Sequence, residues 1–190
     1  MKSTITVAIV IASLLASGCS TRQEGSNFRG STEQRLVTYS INQLSQSVAK
    51  LEIAEITGKK LFIRSHFVIK NEVVEYAQQR LEVELAEKFD VKIRANGEDA
   101  DYRLDVFYTS LGTDRDALGL SVPVVNLSDP EQSAVINILA VDMYHGLAEA
   151  NLFLTNLKTG EVVPKSLVKS RIRSDKFSTP FFSIPLSNID

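Results

Sequence analysis

The chain contains one cysteine, two histidines and no tryptophan among its 190 residues. A single cysteine excludes an internal disulfide and a metal site built from several thiolates. Neither sign of charge is in marked excess, because 21 Lys and Arg face 23 Asp and Glu. This balance provides no general attraction to nucleic acid, so no nucleic-acid partner is expected. At 190 residues the chain is long enough for one folded domain, and its 44% apolar residues are enough to build a core for that domain.

The familiar sequence signatures of catalysis are also missing. The chain has no Gly-x-Ser-x-Gly motif, no glycine-rich phosphate loop and no zinc-ligand spacing. Asp114 and Asp116 have calcium-loop spacing, but no glutamate follows at the required distance. Asp101 and Asp105 lie about 13 Å apart along a strand, too far for an acid–base pair, and His66 is interpreted as structural. The sequence therefore favours a protein that is not an enzyme and holds no cofactor or metal.

No apolar run reaches the roughly 20 residues that a bilayer-spanning helix needs. Residues 5–16 are apolar and uncharged over 12 positions after a short basic start, which is typical of a secretory signal peptide. The sequence LASGC at 15–19 resembles the lipobox of bacterial lipoprotein signal peptides. This resemblance implies that residues 1–18 are a cleaved signal peptide and that Cys19 is lipidated. Ser20, where aspartate would favour retention at the inner membrane, implies an anchor in the outer membrane.

Behind the anchor, residues 19–31 are polar and rich in Gly and Ser, which predicts a lipidated flexible tether. Residues 32–190 are predicted to form a single α+β domain that faces the periplasm. The expected contacts of this protein are the membrane, through its lipid, and an envelope protein partner.

Apolar residues recur every three or four positions from Val37 to Leu51, which indicates a helix. Ser31 and Gln34 have the spacing of a capping box at its start, and Gly58 follows its end. Alternation and turn residues predict the remaining elements: a strand at 60–65, a helix at 71–88, strands at 90–94, 101–108, 135–143, 148–155 and 162–173, turns at 144–146 and 156–160, and an irregular segment at 110–134. The predicted fold is α+β, with a single mixed or antiparallel sheet and two helices packed on one face.

Three segments resemble small periplasmic domains of envelope lipoproteins: KLFIRS at 60–65, ADYRLDV at 100–106 and the hairpin LTNLKTGEVV at 154–163. Such domains occur in the curli-secretion-channel family and in the penicillin-binding-protein activator lipoproteins. The resemblance implies a comparable α+β architecture, which by itself does not fix a function.

Four basic residues occupy odd positions of the last long predicted strand and therefore share one of its faces: Lys165, Lys169, Arg171 and Arg173. Such a basic row suits an acidic partner, and it equally suits a sheet edge that must resist aggregation. With Phe181 and Phe182 of the aromatic tail, these are the predicted partner-binding residues of a non-catalytic docking or assembly factor. Secretion, pilus assembly or motility, and cell-wall synthesis are the envelope machines considered.

Two alternatives stay open. An envelope hydrolase or a small-ligand-binding lipoprotein would use the irregular segment 110–134 with Asp142 and His145, the latter at a predicted turn. A self-assembling homo-oligomer would instead pair an open sheet edge and the nearly uncharged polar face of the first helix between copies.

Overall fold

The computed structural model describes residues 21–25, 30–69, 72–124 and 134–187. Its elements follow in this order: β1 Thr21–Gly25, α1 Ser31–Ala49, a 3-10 turn Ala54–Ile56, β2 Lys60–His66, α2 Glu72–Phe89, β3 Lys92–Arg94, β4 Tyr102–Val124, β5 Ala134–Asn156, β6 Val162–Ser178 and β7 Ser183–Ser187. The predicted signal peptide and Cys19 lie outside the described residues. Among the described helices, none is long and apolar enough to span a membrane.

The strands form one mixed sheet in the order β3-β2-β4-β5-β6-β7, and β1 pairs with the outer half of β4. β2 is parallel to both β3 and β4, while the other pairs are antiparallel. Parallel neighbours need a crossover connection, and α2 supplies it between β2 and β3. The predicted α+β fold, with one mixed sheet and two helices, is confirmed.

The hydrophobic core lies between the two helices and one face of the sheet. Its buried side chains follow the predicted helical and strand spacings: Val37, Ile41, Leu44 and Val48 from α1, Ala77, Leu81 and Leu85 from α2, and Leu61, Ile63, Leu104, Val106, Leu152 and Leu154 from the strands. Because strand side chains alternate, the residues between these point to the opposite face of the sheet. There Arg64, Phe107, Leu167 and Arg171 are exposed, and we call this the uncovered face.

β4 and β5 each contain 23 residues and pair along their whole length. The prediction of an irregular segment from residue 110 is wrong up to Val124, and the predicted turn at 144–146 lies inside β5. Gly146 suggested a turn, but a Cβ there would lie 2.3 Å from the Leu36 carbonyl oxygen. This glycine therefore marks the close approach of α1 to the sheet. Residues 125–133 of the predicted irregular segment lie outside the described residues.

The first helix differs from its prediction at both ends. Gly30 is its N-cap, and the Glu33 carboxylate accepts a hydrogen bond from the Gly30 N–H at 3.5 Å. The cap is therefore one residue earlier than the predicted pair Ser31 and Gln34. The helix ends at Ala49, and the 3-10 turn fills most of the remaining distance to β2.

The nearly uncharged polar face of α1 makes contacts within the domain. The Asn42 side-chain oxygen accepts a hydrogen bond from Arg80 of α2 at 3.0 Å. The Gln43 side-chain oxygen accepts one from the Ser170 hydroxyl of β6 at 2.7 Å. The low charge of this face thus has an internal explanation, and contacts between copies are not needed to account for it.

Part of the predicted tether is a strand. Thr21–Gly25 pairs antiparallel with residues 113–117 of β4, with Thr21 opposite Ala117. These five residues extend the sheet beside the outer half of β4, so they are not a free linker.

Candidate binding site on the uncovered sheet face

The predicted basic row is divided by a bulge in β6. Pro164 and Ser166 pair with two consecutive residues of β5, so Lys165 is an extra residue between them. Lys165 consequently leaves the row and forms a 2.8 Å ion pair with Glu55 in the 3-10 turn. Lys169, Arg171 and Arg173 remain together on the uncovered face.

Acidic neighbours neutralise most of what remains of the row. Lys169 lies 3.4 Å from Glu149 of β5, and Arg173 lies 2.6 Å from Asp175. Arg171 is the member without an ion pair among the described residues. The row therefore offers a partner one uncompensated positive charge, that of Arg171.

The residues of the hydrolase alternative do not meet. Asp142 and His145 are three residues apart in one strand, which places them on opposite faces of the sheet. Asp142 instead pairs with Arg115 at 2.8 Å. His145, expected in a surface turn, is only 5% exposed, and its Nε2 lies 3.8 Å from Asp116 Oδ2.

The environment of His145 disfavours its protonation. Burial and the positive charges of Arg171 and Arg173 lower its pKa, and the carboxylates of Asp116 and Asp175 oppose them without cancelling them. An ordinary histidine has a pKa near 6.5. The folded protein therefore holds this side chain neutral at a pH where the unfolded chain already binds a proton.

We expect His145 to make the protein less stable as the pH falls below about 6.5, because protonation then favours the unfolded chain. The variant His145→Gln lacks this proton linkage. Its free energy of unfolding, measured by urea denaturation at pH 7.5 and 5.5, is expected to change less between the two pH values than that of the wild type. An equal or larger change in the free energy of unfolding of His145→Gln would contradict a lowered pKa of His145 in the folded protein.

The two aromatic residues of the predicted binding set lie at the turn between β6 and β7. Phe181 is 93% exposed and Phe182 is 54% exposed, while the Phe182 ring lies 6.4 Å from that of Phe177. The Phe182 carbonyl accepts a hydrogen bond from the Thr179 N–H, which closes the turn. These rings are surface groups.

An open groove of about 610 Å³ crosses the uncovered face over β2, β4, β5 and the start of β6. Eight side chains line it: Arg64, Arg103, Asp105, Phe107, Asn151, Phe153, Thr155 and Val162. We call it the Asp105 groove. Within the described part of the chain, no cluster of three or more His, Cys, Asp or Glu could hold a metal ion.

A buried carboxylate organises the centre of the groove. Asp105 is 5% exposed. Its Oδ1 accepts a hydrogen bond from Arg64 Nε at 2.7 Å, and its Oδ2 accepts one from Arg103 Nε at 2.7 Å. His66 Nε2 lies 3.0 Å from Oδ1. The in-register pairing of Arg64 with Asp105 across β2 and β4 produces this arrangement.

The carboxyl group is held in its charged form. Burial alone would raise the pKa of Asp105, but hydrogen bonds from His66, Arg103 and Arg64 outweigh it and bring the pKa below its ordinary value. One buried negative charge therefore faces two guanidinium groups that are partly exposed. Each guanidinium carries five N–H donors and uses only its Nε–H on Asp105.

Aromatic rings form one wall of the groove. The His66 ring stacks on Phe107 at 4.3 Å between centroids with an angle of 9°, and Phe107 meets Phe153 edge-on at 5.7 Å. Phe107 remains 42% exposed. The groove therefore presents an apolar surface beside its cationic centre.

A hydroxyl group completes the polar lining. Thr155 is 6% exposed, and its Oγ1 is buried without a hydrogen-bond partner among the described residues. Thr155 pairs with Arg103 across β4 and β5, which places this hydroxyl next to the cationic centre. A buried hydroxyl without a partner is costly, and a bound polar group would satisfy it.

Sequence reasoning missed this site although part of its signal was present. Strand alternation already placed Arg103, Asp105 and Phe107 on the face opposite the core. The sequence did not show the parallel register that brings Arg64 and His66 of β2 beside Asp105. No catalytic or metal motif matches this set of residue types, so motif searching gave no indication of it.

No protein-family model matches the chain, and no curated protein matches it.

Proposed function

We propose that this protein is an outer-membrane lipoprotein that docks a partner of the cell envelope and has no catalytic role. The lipobox-like sequence that ends at Cys19 supports the lipid anchor. The observation that carries the docking role is the Asp105 groove, where a buried carboxylate holds two arginines in place beside exposed aromatic surface.

The arrangement in the groove suits binding better than reaction chemistry. A general base needs a free oxygen and a pKa near the working pH, whereas both oxygens of Asp105 accept hydrogen bonds from cations and its pKa is lowered. The two arginines gain fixed positions from these bonds. Fixed donors beside an apolar wall are characteristic of recognition sites, because little side-chain freedom remains to be lost on binding.

The charge of the groove indicates the kind of partner. Arg64 and Arg103 together exceed the single charge of Asp105 by one positive charge, and the basic row also keeps one, that of Arg171. Only in the groove are the cations held in place by a buried carboxylate beside aromatic surface. An acidic group of the partner would therefore find fixed donors and an apolar wall together in the groove, a combination that favours binding there.

In-cell crosslinking of the full-length protein, followed by affinity purification and mass spectrometry, tests this proposal. A discrete envelope partner is expected, and Cys19→Ser is expected to abolish its capture because the domain is no longer held at the membrane. Arg64→Gln is expected to reduce capture about tenfold, since a hydrogen bond to a charged group contributes about 1.5–3 kcal/mol.

Arg171→Gln is the matched control, because it removes the same charge from the same face outside the groove. Loss of capture in this control but not in Arg64→Gln would assign docking to the basic row instead. Crosslinks only between copies of the chain would support the self-assembly alternative, and no capture above the Cys19→Ser background would exclude docking.

A further inference from the structure

We infer that the Asp105 groove binds a carboxylate group attached to a flat apolar group, as at the end of a peptide chain with an aromatic last residue. This inference rests on the proposed function for the location of the site, and it specifies the chemistry recognised there. Three independent features of the groove lead to it.

The first feature is uncompensated charge at fixed positions. Asp105 binds the Nε–H of both arginines, which leaves the two terminal nitrogens of each guanidinium without a hydrogen bond to any described residue. A guanidinium binds carboxylate through two parallel N–H donors. One additional carboxylate would balance the positive charge that Asp105 leaves over.

The second feature is the unsatisfied hydroxyl of Thr155. It is more than nine-tenths buried, lines the groove and lies on the strand position paired with Arg103. A carboxylate bound to Arg103 would bring an oxygen within reach of this hydroxyl. Such an oxygen would accept the hydrogen bond that no described residue accepts.

The third feature is the apolar wall. Phe107 is held by His66 on one side and by the edge of Phe153, yet a large part of its surface stays exposed. Val162 adds further exposed apolar surface at the opposite end of the groove. A flat ring next to the carboxylate would cover this wall, with favourable aromatic contacts beyond the area that it buries.

The chain itself provides a clean measurement. It contains no tryptophan, so indole fluorescence comes only from an added ligand. Full-length protein in a non-ionic detergent is titrated into N-acetyl-tryptophan while the anisotropy of the indole is followed. The matched ligand N-acetyl-tryptophanamide has the same ring and no charge, and we expect it to bind at least tenfold more weakly.

Two variants and one control locate the site. Arg64→Gln is expected to weaken binding of N-acetyl-tryptophan about tenfold, because it removes the positive charge that Asp105 leaves over. Thr155→Val is expected to weaken it about threefold, because it removes one neutral donor. Arg171→Gln is expected to bind like the wild type. The comparison of the two ligands needs no variant, so it stands even where a variant fails to fold.

A third ligand, acetyl-Gly-Gly-Trp with a free carboxyl terminus, distinguishes a peptide end from a small free carboxylate as the group recognised. Tighter binding than N-acetyl-tryptophan identifies a peptide end, and equal binding identifies a small free carboxylate. Equal binding of the amide, full binding by Arg64→Gln, or no rise in anisotropy with any ligand would each overturn the inference. The crosslinking experiment is independent, because a partner that persists while these ligands fail leaves docking intact and refutes only the carboxylate chemistry.

Discussion

Replacing Gly146 by alanine is expected to lower the free energy of unfolding by about 3 kcal/mol, at the upper end of typical overpacking effects. The added Cβ would lie 2.3 Å from the carbonyl oxygen of Leu36 and 2.6 Å from its carbonyl carbon. Both are backbone atoms of α1, so no side-chain rotation relieves the contact. The helix must shift away from β5, and its buried residues Ile41 and Leu44 lose packing contacts with the sheet. Urea denaturation followed by circular dichroism measures the effect.

Gly112→Ala provides the matched control for this substitution. Gly112 is also a strand glycine, paired with Leu147 of β5, but a Cβ at this position meets no atom within 4 Å. Alanine reduces the freedom of the unfolded chain, so the control is expected to be stabilising by up to about 1 kcal/mol. Equal destabilisation by both variants would show that strand conformation, and not the contact with α1, explains the presence of Gly146.

Replacing Asp105 by asparagine is expected to cost about 2 kcal/mol at pH 7. Removing one partner of a fully buried ion pair typically costs roughly 3–5 kcal/mol, and the smaller value applies because Arg64 and Arg103 stay partly in contact with water. The variant leaves two like charges facing each other with no carboxylate between them. Thermal and urea denaturation of wild type and variant measure the loss.

The same carboxylate gives a defined pH dependence. The pKa of Asp105 is lowered in the folded protein, so its contribution is complete above the ordinary carboxyl pKa of about 3.9 and is lost as the pH falls through the lower folded value. The stability difference between wild type and Asp105→Asn is therefore expected to shrink below about pH 4. Asp99→Asn, which breaks exposed ion pairs with Lys60 and Arg94, is expected to leave stability nearly unchanged. If the stability difference between wild type and Asp105→Asn stayed undiminished at low pH, the charge of Asp105 would not explain its contribution to stability.

Local sequence pattern was sufficient for the elements that lie within one stretch of chain. The apolar spacing of α1, the alternation of β2 and the hairpin turn predicted at 156–160 follow from the local residue pattern alone. In that turn the Asn156 side chain accepts hydrogen bonds from the next backbone N–H groups, and Gly160 has a φ of +75°. These features need no information about the rest of the fold.

Features that depend on distant packing were not predictable in the same way. Gly146 resembles a turn residue in the sequence, and only the packing of α1 against β5 explains its presence. Lys165 fits the alternation of the basic row in the sequence, and only the bulge in β6 shows that it leaves that row. The Asp105 groove combines residues about forty positions apart, and their contact depends on the register between two parallel strands. One sequence shows which side chains share a strand face, but not which strand lies beside it.

The pairing of β1 with β4 has a consequence for the distance between the domain and the bilayer. Thr21 is already part of the sheet, opposite Ala117. If Cys19 carries the lipid, only two residue steps separate the acyl chains from folded structure, a reach of about 7 Å. The domain would then stay at the membrane surface, and a partner would have to come to that surface to meet it.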